Sequence, residues 1–471
     1  MTRIPEHLPI DQQTWDELPE PFRKILAAII DHYEAKISEL ERRLGQNPAN
    51  SSLPPSSQHP HADKINPKKP KSKRKPGGQP GHPKHERALV PPEQVSQTIS
   101  LIPPNCRGCG DRLSGEDPDP LRHQVWEIPP IEPIITEYQR HRLSCPTCGK
   151  ITCAELPAGV PTGQSGPRLV ALANLLMGCF RQSKRRTALF LETVLGVPCS
   201  ASWVVKMQNL GQQALQSCYD EVAAELPQAE AVNLDETGTK QAADKGWIWT
   251  AVTKAFTLFA VRPTRSSQVA RELLGGDFRG IITTDRYGGY NDYKRRQVCW
   301  AHLLRDFQGL IDAGGAGKRI GRRLQSIGYE LFHHWHRARD GTITRATLRR
   351  NVRQLMRPMW EALEDGERCR HARTVAVCGD LFRRFDQLWM FLEHPDVEPT
   401  NNAAERSLRH AVIWRKLSFG TQSESGSRFV ETLLTVIETC RQQNRDVLPF
   451  ITESINAHWN RTTAPSLLGG V

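Results

Sequence analysis

Two strand-like runs each end on an aspartate. AVNLDETG alternates apolar and polar residues into Asp235, and GIITTDRYGGY carries a short apolar run into Asp285. Two carboxylates brought close repel, and desolvation sharpens the repulsion unless a cation sits between them. Hard oxygen ligands of this kind suit Mg²⁺ or Mn²⁺. Two such ions roughly 3.5–4 Å apart are suited to in-line attack at a phosphodiester. Taken singly, each aspartate is also an ordinary strand-end turn residue. A third acid, Glu405, stands in TNNAAER among Arg406, Arg409, Arg415 and Lys416. There it reads either as the N3 partner of an Asn402 N-cap or as a metal ligand on a helix whose cations face DNA.

A second constellation is built from sulfur. Cys106 and Cys109 lie in CRGCG, and Cys145 and Cys148 in CPTCG, with 35 residues between the two knuckles. In each, two thiolates two residues apart can grip one tetrahedral ion while the glycine relieves the tight turn. Four thiolates make a structural Zn²⁺ site with no open position for catalysis. The insert, with VWEIP and ITEYQRHRLS, is expected to form a small sheet joining the knuckles. Cys153 stands nearby without a paired partner and is left out of the set.

These groups need elements to position them. After Pro227 three strands, a helix, a strand and a helix follow in the order β-β-β-α-β-α, with RQVCWAH as a further short strand. That order is the one of a ribonuclease-H-like sheet. Its first and fourth strands can lie side by side and bring Asp235 and Asp285 to one rim. Ahead of it, LVALANLLMGCF, RRTALFLETVLG and SASWVVKMQNLGQQAL read as three helices, with Ser200 as an N-cap. The last two are helix-turn-helix-like, with Ser202, Lys206 and Gln208 as candidate DNA contacts, although any three-helix core would look much the same.

Length and charge bound the rest. A chain of 471 residues with 38% hydrophobic content holds several cored domains, which excludes wholesale disorder. Its longest nearly apolar stretch, residues 169–180, is too short to span a bilayer, so no membrane partner is expected. The first residues, MTRIPEHLPID, show no apolar signal region, so a cytoplasmic, nucleoid-associated prokaryotic protein is expected. The net charge of +12 favours a polyanionic partner, most simply nucleic acid. Residues 48–133 hold 18 of the 34 prolines, and residues 64–75 hold seven basic residues and no acid. Such an extended arm, with Lys68, Lys69, Lys71, Lys73, Arg74 and Lys75, can lie along phosphates. It can equally be a solvated linker. Near the start, Leu26, Ile30, Tyr33, Ile37, Leu40 and Leu44 repeat at spacings of 3 and 4, an a/d seam for self-association or for packing on the same chain.

Several of these motifs stand together in one known family. PGGQPGH, the two CxxCG knuckles, LDETG, TTDRYGGYN, CWAHLLRDF, and EPTNNAAERSLR followed by RKLSFGTQSESG resemble the large transposase of the insertion sequence 66 family, within the wider DDE superfamily. The resemblance runs from about residue 70 to 440. It implies that Asp235, Asp285 and Glu405 form a metal-binding DDE triad on a ribonuclease-H-like core. It also implies that residues 303–398 are an all-helical insertion and that Cys299 and His302 are the CxxH motif at its entrance. CxxH could be half a zinc site, with Cys369, His371 and Cys378 as candidate partners, but a packing or hydrogen-bonding role is the expectation. His333, His334 and His336 read as a wet helix face.

The expected organisation is an α/β multidomain chain. It comprises a coiled-coil helix (1–47), a basic arm (48–95), a zinc-ribbon-like module (96–157) and a helical domain (158–226). The catalytic core (227–302 and 399–445) is split by the helical insertion, and a C-terminal helix and tail (446–471) follow. The implied activity is cleavage at an element's terminal inverted repeats and joining to target DNA, using Mg²⁺ or Mn²⁺. Arg406, Arg409 and Lys416 are candidate phosphate contacts, with pairing of two copies and small accessory proteins as partners. A non-catalytic zinc-containing DNA-binding regulator and a metal-dependent nuclease are the alternatives.

Overall fold

The computed structural model describes residues 12–44 and 87–469. The basic cluster from Lys68 to Lys75 lies outside the described residues. Two compact units divide the chain: residues 1–63 with 135–471, and residues 64–134. No helix among the described residues is long and apolar enough to cross a membrane.

In the larger unit, α1 (Gln12–Glu17) and α2 (Glu20–Leu44) come first. Leu26, Tyr33, Ile37, Leu40 and Leu44, five of the six seam residues, are exposed, so the apolar stripe of α2 is uncovered in the single chain. A hairpin follows, β1 (Arg142–Ser144) against β2 (Ile151–Cys153). Then come α3 (Pro167–Gly178), α4 (Lys184–Leu195) and α5 (Ala201–Glu225). The Ser200 hydroxyl accepts the Trp203 N–H at 3.2 Å and caps α5 as its sequence implies. Val204, Met207, Leu215 and Val222 are buried along α5, so it is a core helix over most of its length. Ser202 and Lys206 are exposed, but Gln208 is buried, which removes it from the candidate DNA contacts.

The central sheet comprises β3 (Ala231–Gln241), β4 (Asp244–Val252), β5 (Thr257–Arg262), β6 (Ile281–Thr284) and β7 (Arg296–Val298). Helix α6 (Ser267–Leu274) leads from β5 to β6. The strand order is β5-β4-β3-β6-β7; β3–β4–β5 are antiparallel, and β3–β6–β7 are parallel. The first and fourth strands are therefore neighbours.

Beyond the sheet lie α7 (Trp300–Asp312), α8 (Gly315–Arg339), α9 (Arg345–Glu367), α10 (Ala372–Arg383) and α11 (Met390–Glu393). These have an apolar core of their own, including Leu303, Phe307, Leu324, Val352 and Met359. The run GDLFRRFDQLWMFLEH, helix-like by sequence, is broken after Arg383. Gln297 and the Trp300 indole both donate to the Leu388 carbonyl, at 3.1 and 2.8 Å, and Gln297 accepts the Phe391 N–H at 3.0 Å. Buried side chains from β7 and the start of α7 satisfy backbone groups that a continuous helix would have paired internally. RQVCWAH is also not one strand: β7 ends at Val298 and α7 begins at Trp300, so Cys299 and His302 sit at a helix start.

The chain closes with α12 (Asn402–Ser418), α13 (Glu424–Gln442) and α14 (Val447–Asn460). Helix α13 covers the β5 edge of the sheet. Glu431, Thr435 and Thr439 accept the N–H groups of Val261, Phe259 and Thr257 at 2.8, 2.9 and 3.1 Å. Four helical residues rise about 6.0 Å and two strand residues about 6.7 Å. A polar residue every fourth position can thus match every second strand N–H, and the open edge is satisfied without a further strand.

In the smaller unit, residues 87–134 contain no strand and no buried residue. Neither VWEIP nor the stretch before Arg142 forms a strand, so the expected sheet joining the knuckles is absent; only the flanks of the second knuckle pair, as β1 and β2. The alternation there runs through exposed apolar residues such as Leu121, Val125 and Ile128, with no core to face.

Candidate active site

Register brings the two aspartates level. Ala231, Val232 and Asn233 of β3 pair with Ile281, Ile282 and Thr283 of β6, a constant offset of 50 residues. Asp235 and Asp285 keep that offset two positions beyond the last pair, Asp285 lying just past the end of β6 at Thr284. Tyr287 donates its backbone N–H to the Asp285 carboxylate at 3.0 Å, and Glu236 does the same for Asp235 at 2.9 Å.

Glu405 arrives on the first turn of α12. The capping-box alternative does not hold. The N-cap is Asn401 rather than Asn402, and its side chain makes no cap bond. Its carboxamide instead donates to the Leu234 carbonyl at 2.7 Å and accepts from Asn233 at 3.0 Å. This buried asparagine fastens the start of α12 to β3 one residue short of Asp235 and frees the Glu405 carboxylate to point elsewhere.

The three acids feel one another. Burial first, then the charges of Glu236 and Asp285, push the Asp235 carboxyl up to about 8, and Glu405 adds to the rise. Burial also raises Glu405, opposed by Arg305 and Arg409 and reinforced by Asp285. Asp235 and Glu405 are thus both raised by burial and by the charge of Asp285, which a cation would relieve, although the oxygens of the three acids do not converge within 4.8 Å of one another. The Glu405 Oε1 atom is buried without a hydrogen-bond partner and faces His302 at 3.5 Å and Arg305 at 3.9 Å.

Cations and a tyrosine that sequence reading did not single out hold this arrangement. On the core face, the buried Glu236 accepts from Arg265 and from the Tyr290 hydroxyl. The Arg265 guanidinium also lies 3.6 Å from Asp285 and stacks over the Tyr287 ring at 3.7 Å. The buried Arg296 donates to the Thr284 hydroxyl at 2.8 Å and to the carbonyls of Asp285 and Tyr287. Arg286 reaches Asp306 of α7 at 2.9 Å and Asp380 of α10 at 2.8 Å, tying the helical insertion to the residue after Asp285. Arg286 is next to Asp285 in the sequence, but its partners lie 20 and 94 residues away.

Arg406, Arg409 and Lys416 are all exposed on α12, at spacings of three and seven that place them on one face. Cys299 is fully buried at the N-cap of α7, and the Asn401 N–H donates to its sulfur at 3.1 Å. Burial, then Arg305, lower the His302 imidazole to about 4, so the ring is neutral. Cys299, His302 and Glu405 offer donor atoms within 4.8 Å of one another, the one such group of three among the described residues. Cys369, His371 and Cys378 are therefore not the second half of the CxxH motif; His371 instead caps α10, accepting the Thr374 N–H at 3.3 Å. His333, His334 and His336 form no such group either.

Each cysteine knuckle is a closed turn. Gly110 donates to the Cys106 carbonyl at 3.0 Å, and Gly149 to the Cys145 carbonyl at 2.9 Å. Both glycines have positive φ, +83° and +70°, as the turn demands. The N–H groups of Cys109 and Gly108 lower the Cys106 thiol, and those of Cys148 and Thr147 lower Cys145. Thiols biased toward thiolate suit a metal.

Residues 163–428 match the model of the Transposase IS66 family. The chain belongs to this family. Residues 103–149, which contain all four knuckle cysteines, match the zinc-finger binding domain of transposase IS66, and residues 6–88 match a family of unknown function. Two uncharacterized proteins of Sinorhizobium fredii, y4hP and y4qI, are 27% and 24% identical over 401 residues, covering 75% and 77% of this chain and 71% and 72% of theirs. A third from that organism, y4jO, is 42% identical over 172 residues, covering 34% of this chain and 48% of its own. The IS66 match includes Asp235, Asp285, Glu405, Cys299 and His302.

Proposed function

We propose that this IS66 family chain is a DNA strand-cleaving and strand-joining enzyme whose sheet is the ribonuclease-H-like platform of a DDE transposase. One observation supports the reading: β3 and β6 pair with a constant offset of 50 residues on their way to Asp235 and Asp285, and Asn401 ties the start of the Glu405-bearing helix to β3. These carboxylates would hold Mg²⁺ or Mn²⁺, which when bound would supply charge neutralisation at a phosphodiester and activate the attacking oxygen. The three acids serve as ligands, so no covalent enzyme–DNA intermediate is needed. Arg406, Arg409 and Lys416 hold phosphates beside them, and their cationic face orients the strand for in-line attack. Water would be the first nucleophile at an element end. The 3′-hydroxyl so exposed would be the second, at target DNA.

The closed CxxCG turns suit structural Zn²⁺, and they, the basic arm and α3–α5 would recognise terminal inverted repeats. The uncovered stripe of α2 supports pairing of two end-bound copies. Small accessory proteins of the same element and association with the nucleoid belong to this reading.

The test is a pair of assays on purified protein with element-end DNA. Asp235→Asn and Glu405→Gln should abolish strand transfer, resolved from simple nicking on a denaturing gel, while a gel shift shows end-binding intact. Strand transfer surviving in either variant overturns the triad.

A further inference from the structure

We propose that Cys299, His302 and Glu405 form a second transition-metal site, selective for Zn²⁺, that fixes the Glu405 carboxylate. The CxxH spacing on α7 is the first reason. Residues three apart on a helix share a face, so Cys299 at the N-cap and His302 one turn on point the same way. The second half of the site is not in that helix at all. Glu405 comes from α12, and its Oε1 lies 3.5 Å from His302 Nδ1.

Apart from Arg305, 3.9 Å from the carboxylate oxygen, neither of these two atoms has another partner. His302 Nδ1 and Glu405 Oε1 are both buried and lack a hydrogen-bond partner, although unpaired buried polar groups are rare in folded proteins. A cation between them resolves both at once. The third donor, the sulfur of the fully buried Cys299, accepts the Asn401 N–H at 3.1 Å, the contact a metal-bound thiolate commonly receives. Asn401 and Cys299 are the N-caps of α12 and α7, so two positive helix ends face the anionic ligands.

Size and softness choose the ion. Zinc bonds of about 2.0–2.3 Å bring tetrahedral donors to within about 4 Å of one another. Donors already within 4.8 Å need only a small inward movement to close on the ion. A thiolate and an imidazole select zinc over magnesium, which takes oxygen ligands. Glu405 retains a second oxygen for the aspartates, so a zinc ion on Oε1 would lock the carboxylate's direction without consuming it. Arg305, 3.9 Å from the same oxygen and partly exposed, can swing outward to make room.

The site rests on coordination geometry and not on the strand-transfer reading, so the test reads metal content rather than activity. The full-length protein is loaded with ZnCl₂, dialysed against metal-free buffer and assayed for zinc per chain by plasma mass spectrometry. Cys299→Ser and His302→Gln should each carry one equivalent less than the unaltered chain. Cys106→Ser should lose zinc independently and additively, because its ion is a different one. His302→Gln guards against a folding artefact, since the half-buried side chain keeps its size and circular dichroism can confirm the fold. Unchanged zinc in both Cys299→Ser and folded His302→Gln overturns the site. A cobalt-loaded chain offers a second reading: a sulfur-to-cobalt absorption that persists in Cys106→Ser and vanishes in the double variant with Cys299→Ser supports it. Loss of strand transfer with zinc retained would count against the site and leave the triad standing.

Discussion

The sheet with its helices and the cysteine-bearing stretch solve the same problem by opposite means. Around the sheet, carboxylates are positioned by buried packing. Leu234 is fully buried beside Asp235, Thr284 beside Asp285, and Ala404 beside Glu405. From residue 87 to 160, by contrast, not one residue is buried. Small folds without an apolar core are held by metals or disulfides, and all four knuckle cysteines are free thiols. In the first region hydrophobic burial positions the candidate residues; in the second no apolar core is present to do so.

The comparison breaks most visibly at the carboxylates. Asp285→Asn should reduce strand transfer on the order of 10³-fold, yet leave the thermal midpoint unchanged or raised, because it removes like-charge repulsion. A large loss of stability in scanning calorimetry would show that Asp285 holds the fold rather than the chemistry.

Cys145→Ser should do the reverse. Structural zinc contributes on the order of 10 kcal/mol to metal-dependent small folds. Limited proteolysis should therefore open residues 96–157 and end-binding should weaken sharply, while the main unfolding transition barely moves. Retained protease resistance would mean that something other than metal orders this stretch.

Between these extremes lies the ion-pair strut from Arg286 to the helical insertion. Burial would raise the Asp380 carboxyl, but the hydrogen bond from Arg286 and the charges of Arg384 and Arg286 outweigh it and hold the group below its usual value. A carboxyl lowered on folding contributes stability that is present above its unfolded pKa of about 3.9 and lost as pH falls through the folded value. Asp380→Asn should therefore cost about 1–3 kcal/mol at pH 7, a difference that shrinks once an acid pH falls below the lowered folded value. Urea melts at both pH values check it; an equal difference at both would assign the loss to packing.

The smallest effect belongs to the exposed face of α12. Arg409→Ala should weaken DNA binding almost equally for all sequences and reduce the slope of log affinity against log salt by about 1. A sequence-dependent loss would instead make Arg409 a base reader.

Much of this was legible in the chain, for identifiable reasons. Alternation in AVNLDETG and the breaks at glycine and proline marked the strands, and CxxCG marked closed thiolate turns, because both are short-range patterns. The capping-box reading of Glu405 failed because Asn401, not Asn402, ends the helix, drawn to the Leu234 carbonyl by a partner 167 residues away. The continuous helix read over residues 379–394 failed for a similar reason, since Gln297 and Trp300 compete for its backbone.

What the sequence alone determined is most of the strands and helices and the two closed CxxCG turns, since periodicity and turn chemistry act between near neighbours. Tertiary structure alone decided that residues 235 and 285 stand at one level, that α13 seals the β5 edge through Glu431, Thr435 and Thr439, and that His302 faces Glu405. Those relations depend on strand register and helix docking across separations of 50 to 182 residues. There the free energy is set by whole burying surfaces rather than by any local pattern of side chains.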